Sequence, residues 1–418
     1  MEELLIMGKD AVFSRDPNCN EVNTNCVVVG SSGSGKTVSI IEPYLLHTKE
    51  SSIICSLSKR RIADLYIPYY TNNNYQVIDM NFDNPEISDV CYDPIAYITS
   101  TEDITHLSTS LIMSDKRKLS SKADPYWDTT SINLLNAIIC MTLIFKEHAT
   151  MDDVLKNVDQ LRIKNGCNHV ETTLDDKFEI ITNNDPHSFC STNWLVFSSL
   201  DSTKTASCIL SSLQTMLSNI FTSSLRRQIS TKKCINIENI GRKKTALFIT
   251  SSAMNSSLRA FINIFYGQIF KTLFEFAQQM PKYKLPVHVN CVYDDFAVGG
   301  VAVKDFPEYT SIVREANIDF TILLQSESQL IEAYGEYGAK TILNNIDSYC
   351  FLGCNDYETA KIVSLKANIP IDEVLWQHVG NVIVFRRGIH PIFTERYNTY
   401  EDQRYIQMIE SSKRKKRK

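Results

Sequence analysis

Eight consecutive residues, Gly30-Ser31-Ser32-Gly33-Ser34-Gly35-Lys36-Thr37, carry the pattern G-x-x-x-x-G-K-[ST]. Glycines at these spacings let the backbone curl into a nest whose N–H groups converge on an anionic phosphate, and a helix starting behind them adds the positive end of its dipole. Lys36 would reach the β- and γ-phosphates of a nucleoside triphosphate, and Thr37 would offer its hydroxyl to Mg²⁺. The motif is informative only between a strand and a helix. Both are signalled here: the apolar run Cys26-Val27-Val28-Val29 precedes it, and Val38, Ile40, Ile41 and Leu45 follow at helical spacing. ATP with Mg²⁺ is therefore the expected ligand pair.

A phosphoryl-transfer site also needs a carboxylate for the water shell of the metal and a base that orients the attacking water. The segment His288 to Tyr293 reads as a strand ending in Asp294-Asp295-Phe296, which assigns Asp294 to the metal and Asp295 to the water. Asp295 is one methylene shorter than the Glu usual at such a position. The apolar run Phe320 to Leu324 ends in Gln325, where RecA-like motors keep a γ-phosphate sensor. Arg314, on the segment leading into that run, is a candidate arginine finger, a guanidinium that reaches across a subunit boundary to the transferred phosphoryl group. A surface ion pair is the alternative use of such an arginine.

These residues need strand ends to hold them. Apolar runs alternate with helical patterns over the first 98 residues: Val27–Val29, Val38–Leu46, Ser52–Cys55 and Tyr75–Asp79, as in a parallel α/β sheet. Residues 99–232 change to helical spacing, with Ile104, Leu107 and Leu111, then Leu134 to Leu143, then Ile209, Leu213 and Leu217, which reads as a mostly helical insertion. From 233 to 408 the strand signals return at Ala246–Ile249, Val287–Tyr293, Phe320–Leu324 and Tyr349–Leu352, with a long amphipathic pattern between Phe261 and Phe276.

With 418 residues and 43% hydrophobic content, the chain can build one large or two ordinary cores. Its 12 cysteines include no C-x-x-C pair, and several lie inside apolar runs, which points to a reducing compartment without a zinc site or a disulfide framework. The net charge is −5, yet Lys413 to Lys418 are all basic; without those six, 37 basic residues face 48 acidic ones. An acidic body argues against wrapping duplex DNA on an outer surface but allows a narrow basic channel. The 409–418 tail reads as a solvated end or as a contact to nucleic acid or anionic lipid. The longest apolar stretch, about Ile132 to Phe145, falls short of the ~20 residues needed to cross a bilayer, so no transmembrane helix is expected.

Taken in order, these motifs resemble the TraG class of type IV secretion coupling ATPases, the motors of conjugative DNA transfer. The resemblance runs from Asn23-Thr24-Asn25 through Thr37, then Asp124-Pro125-Tyr126-Trp127-Asp128, then Ile235-Asn236-Ile237 and Lys244 to Ile249. It continues through Asp294-Asp295-Phe296-Ala297, Leu324-Gln325-Ser326 with Gln329-Leu330 and Tyr334-Gly335, Asn344-Asn345, and Asn355 to Ala360. Two departures stand out. Leu57-Ser58-Lys59-Arg60 replaces the usual Asp-Pro-Lys-Gly after the second strand, and the second acidic residue is Asp295 where the family has Glu.

The resemblance implies a RecA-like P-loop NTPase domain with an all-α insertion, working as a ring, expected to be a hexamer, that passes single-stranded DNA carried with a relaxase. It places Arg314 where the family has an arginine before its sensor strand. Met1 lies only 29 residues before Gly30, so the family's N-terminal membrane helices are not in this sequence. The chain is then either a soluble variant or a shortened one, expected in the cytoplasm and reaching the membrane face through secretion-channel subunits. Two alternatives are a nucleotide-gated adaptor with little turnover and an FtsK- or HerA-like pump of duplex DNA.

Overall fold

A nine-stranded sheet carries the motifs. The computed structural model describes residues 3–16, 22–113, 125–164, 170–251, 258–297, 302–303 and 305–416. Two short strands, β1 (Leu4–Ile6) and β2 (Val12–Ser14), pair antiparallel by themselves. The sheet contains β3 (Cys26–Val29), β4 (Ser52–Leu57), β5 (Gln76–Asn81), β6 (Thr245–Thr250), β7 (Val289–Tyr293), β8 (Ile318–Leu324), β9 (Ser348–Phe351), β10 (Asn381–Arg386) and β11 (Ile392–Glu395). Their order is β11-β10-β9-β3-β8-β7-β4-β6-β5. From β9 to β5 every pairing is parallel, while β10 and β11 close one edge as an antiparallel hairpin. The central strands are buried along their whole length, the mark of a sheet covered on both faces.

The chain divides into two compact units, one of Met1–Asn84, Asn236–Asn255 and Ile269–Lys418, the other of Pro85–Ile235 with Ser256–Gln268. In the first, the P-loop leads into a π-helical turn, Thr37–Ile41, that continues as α1 (Glu42–His47). With α2 (Arg60–Asn72), this helix buries Ile40, Ile41, Leu45, Ile62 and Tyr66 against Val28, Ile53 and Cys55 of the sheet.

The second unit is helical: α3 (Thr101–Met113), α4 (Pro125–Phe145), α5 (Met151–Gln160), α6 (Asp175–Asn184), α7 (Phe189–Ser198), α8 (Thr203–Ile220) and α9 (Ser223–Thr231). Four of them begin at a Ser or Thr whose side chain accepts an N–H of the first turn, at Thr150, Ser188, Ser202 and Thr222. Helix α4 is longer than the apolar stretch suggested, and by length and composition Tyr126–Phe145 would suffice to cross a membrane. It packs against α3, α5, α6, α7 and α8 and buries Leu134, Leu135, Ile138 and Ile139 completely, as the core helix of this unit. Asp124, which opens the aromatic motif before α4, lies outside the described residues.

The first unit resumes with α10 (Glu238–Arg242); α11 (Arg259–Gln278), which accounts for the Phe261–Phe276 pattern, has its first half in the second unit and its second half in the first. Then follow α12 (Phe306–Ile312), α13 (Ser328–Asn344), α14 (Tyr357–Ala367), α15 (Ile371–Leu375) and α16 (Gln403–Lys416). The basic tail is helical at its start, since α16 runs through Lys416; Arg417 and Lys418 lie outside the described residues. Neither the β10–β11 hairpin nor the β1–β2 ribbon was expected from the sequence.

Candidate functional site

The strand order brings four carboxyl ends side by side. β3 ends in the P-loop, its neighbour β8 in Gln325, the next strand β7 in Asp294-Asp295, and β4 in Ser58. In a parallel sheet this edge, where connections diverge to either side, is where ligands bind. The chain leaves β3 through the P-loop and α1 and re-enters the sheet at β4, passing over β8 and β7.

The P-loop is tied down at its base and open above. Gly30 N–H donates to Leu324 O at 3.0 Å and Ser31 N–H to Gly353 O at 2.9 Å, locking the loop to the ends of β8 and β9. Gly33 and Gly35 adopt φ of +81° and +92°, values at which any other residue would be strained. The Ser34 hydroxyl is buried with no hydrogen-bond partner among the described residues. Lys36 is itself buried; its ammonium folds back to donate to Gly30 O and, at 3.3 Å, to Ser31 O. A phosphate in the loop would offer these donors better acceptors, so the residues present fit the triphosphate the motif implies.

Lys36 also links the two halves of the site. Burial lowers its pKa, while the carboxylates of Asp295 and Asp294 raise it, which requires both to lie within electrostatic reach. Asp294 is buried, its N–H donates to Ser56 O at 3.1 Å, and its carboxylate accepts the Ser58 hydroxyl at 3.2 Å. Its carboxyl is pushed up to about 6, chiefly by burial and then by the charge of Asp295, with Ser58, Lys36 and Lys59 pulling the other way. Ser58 and Lys59 thus join the site. The sequence offered only a departure from the family pattern there.

Asp295 is partly exposed and has a left-handed backbone, with φ +51°, followed after Phe296 by Ala297 at φ +69°. Phe296 N–H donates to Leu323 O at 2.9 Å, so the turn bearing Asp295 hangs on the adjacent strand. Left-handed backbone favours Asp and Asn over longer side chains. That is a local reason for Asp at this position.

Gln325 sits next to Gly30 at the end of β8, and its N–H donates to Gln329 Oε1 at 2.9 Å. Arg314 is not brought to this edge. It is exposed in the turn before Ile318, at the opposite end of β8, so about 20 Å of strand separates it from the P-loop of its own chain. It forms no ion pair with the described residues.

Other motif residues hold the frame. The side chains of Asn23 and Asn25 donate to Asn345 O at 3.0 and 3.3 Å, Asn25 Oδ1 accepts Phe320 N–H at 3.1 Å, and Thr24 donates to Asp319. These bonds tie together the amino ends of β3, β8 and β9. Asp356 caps α14 by accepting Thr359 N–H, and it also accepts the Ser328 hydroxyl at 3.0 Å, fixing the start of α13 beside Gln325.

One stretch of the site lies outside the sequence motifs, the segment after β11. A methyl group on Gly35 would stand 2.9 Å from Nη1 of Arg396, so this guanidinium covers the P-loop glycine. The runs Val382–Phe385 and Ile392–Phe393 around Arg387-Gly388 are the hairpin pattern that could have located it.

Solved structures share this architecture. The bacterial conjugative coupling protein TrwBdeltaN70 in complex with sulphate matches at TM-score 0.62 and 16% identity, covering 89% of this chain and 85% of that one. The plasmid coupling protein TrwB in complex with ADP and Mg²⁺ matches at 0.61 and 17%, over 90% and 85%. VirB4 of Thermoanaerobacter pseudethanolicus matches at 0.54 and 11%, over 97% and 98%. At such identities the likeness is one of fold, a RecA-like P-loop unit with a helical unit. No curated protein matches the sequence. A family model described as type IV secretory system conjugative DNA transfer matches residues 3–367. The chain therefore belongs to the type IV secretory system conjugative DNA transfer family.

Proposed function

We propose that this protein hydrolyses ATP to drive single-stranded DNA, delivered with a relaxase, into a conjugative transfer channel. The observation that carries the reading is the juxtaposition, at the carboxyl ends of neighbouring strands, of the P-loop with its buried Lys36 and of Asp294-Asp295. In this reading the loop N–H groups from Gly30 to Thr37 cradle the phosphates, and Lys36 exchanges Gly30 O and Ser31 O for phosphate oxygens. The Thr37 hydroxyl and Asp294 would hold Mg²⁺, which supplies charge neutralisation across the β- and γ-phosphates. Asp295 orients the attacking water and accepts its proton, Gln325 senses the γ-phosphate from the end of β8, and Arg314 serves the site of a neighbouring subunit.

The complex of TrwB with ADP and Mg²⁺ supports the ligand pair. As an arginine finger Arg314 would serve a neighbour's site, given its distance from its own P-loop, and a homo-hexamer is the assembly proposed. The work is assigned to the cytoplasmic face of the membrane, reached through secretion-channel subunits. A second reading, a nucleotide-gated recruitment adaptor, draws on the short reach of Asp295.

DNA-dependent phosphate release tests the choice. Hydrolysis stimulated by single strands more than by duplex, and lost in Lys36→Ala, is the expected result. Tight nucleotide binding with no turnover under any DNA would favour the adaptor, and duplex preference would favour a pump of the FtsK or HerA kind.

A further inference from the structure

The site's orientation fixes where the rest of a nucleotide must go. Asp294, Asp295 and Gln325 mark the γ-phosphate end, so the nucleoside must leave the P-loop on its other flank, past Gly35 and the first turn of the following helix. A cavity of about 580 Å³ opens on that flank. One wall is Gly35, Val38 and Ser39; the other comes from His378–Asn381 at the start of β10 and from Glu395–Asn398 and Tyr400 at and beyond the end of β11. The volume falls in the range of small-molecule sites.

The second wall is fastened to the P-loop helix by an unusual device. In an α-helix the Val38 carbonyl would accept the N–H of Glu42, but in the π-turn Glu42 N–H bonds Thr37 O instead. The residue then due at Val38 O is Pro43, which has no N–H. The freed carbonyl accepts the hydroxyl of buried Thr399. At the other end of α1, His47 Nε2 lies 2.9 Å from Asp402 Oδ2. The segment bearing Arg396 and Tyr400 is therefore pinned at both ends of the phosphate-binding helix.

Two side chains on this wall suit a nucleoside phosphate. Arg396 covers Gly35 and forms no ion pair with the described residues. Tyr400 is half exposed, lines the cavity and meets Tyr405 edge to face at 5.4 Å. We propose that this cavity takes the base and ribose of the P-loop-bound triphosphate, with the base stacked on Tyr400 and Arg396 on the α-phosphate side of the loop. The proposal rests on the P-loop reading given above and adds residues outside the motif.

Calorimetric titration of the 418-residue chain with Mg·ATP and with Mg·tripolyphosphate separates the two readings. Tyr400→Ala should lose about tenfold to a hundredfold in ATP affinity, the scale of base–aromatic stacking, and nothing toward tripolyphosphate. Tyr400→Phe should bind both as wild type does, while Lys36→Ala should lose both. Unchanged ATP affinity in Tyr400→Ala, or an equal loss for both ligands, would overturn the nucleoside site while the P-loop reading stands. A wild-type chain that binds neither ligand would overturn both.

Discussion

The Ser58 hydroxyl donates to the Asp294 carboxylate across 3.2 Å, joining the end of β4 to the end of β7. It is one of few stabilising partners for a carboxyl that burial and Asp295 push up from 3.8 to about 6. A raised carboxyl pKa means that ionising this group costs stability. The cost is absent below about pH 4, where both folded and unfolded chains hold the proton, and complete above about pH 6.

Asp294→Asn should therefore stabilise the ligand-free protein by about 3 kcal/mol above pH 6, from roughly two pKa units at 1.36 kcal/mol each, and by almost nothing below pH 4. Denaturant unfolding at pH 4 and pH 7.5 measures this. The same gain at both pH values would show that the charge is not the cause. Because Mg²⁺ needs the ionised carboxylate, Mg·ATP affinity of the wild type should also fall as the pH drops through 6.

Asp295 can be tested without disturbing its turn. Asn is as tolerant of left-handed backbone as Asp, so Asp295→Asn should bind ATP normally and lose about a hundredfold or more in turnover. Asp295→Glu should keep turnover but lose about 1 kcal/mol of stability, since the longer side chain is less at ease at φ +51°. A turnover rate unchanged in Asp295→Asn would move the base to another residue.

What the sequence made legible is what strands and phosphate chemistry impose locally. The P-loop, Asp294-Asp295 and Gln325 each follow a buried apolar run, so type and spacing sufficed to place them at strand ends. Ser58 and Lys59 were visible only as a departure, because a hydroxyl reaching Asp294, 236 positions away, depends on β4 pairing with β7. Arg396 and Tyr400 were missed for the same reason: their meeting with Gly35 is set by the position of the edge hairpin and not by any local pattern. The π-turn was illegible too, since its apolar residues Ile40, Ile41 and Leu45 are also those of an ordinary helix.

The hydroxyl of Thr399 should matter more than its exposure-free position alone implies. Thr399→Val keeps the shape and deletes the donor, leaving the Val38 carbonyl without its partner, at a cost of about 1 kcal/mol or more. Pro43→Ala restores an N–H that can serve Val38 O, so Thr399→Val should cost less in that background. A double-mutant cycle by denaturant unfolding should then show a coupling of about 0.5 kcal/mol or more. Strict additivity would mean that Pro43 does not create the vacancy Thr399 fills.

Lys36 follows the carboxyl end of β3 and Arg314 precedes the amino end of its neighbour β8, so if both serve one reaction they must come from different subunits. Arg314→Ala alone and Lys36→Ala alone should each be inactive, with Arg314→Ala retaining ATP affinity because its own P-loop is untouched. Mixing the two variants creates interfaces in which an intact Lys36 faces an intact Arg314, and these should recover part of the hydrolysis. In a ring mixed at random from equal amounts, about a quarter of the interfaces carry that combination, which sets the ceiling if sites act independently, while tight coupling between sites would lower it. Phosphate release measured against mixing ratio should peak near equal amounts. A flat line at zero, from subunits shown by cross-linking to share rings, would make Arg314 a surface residue with no part in the chemistry.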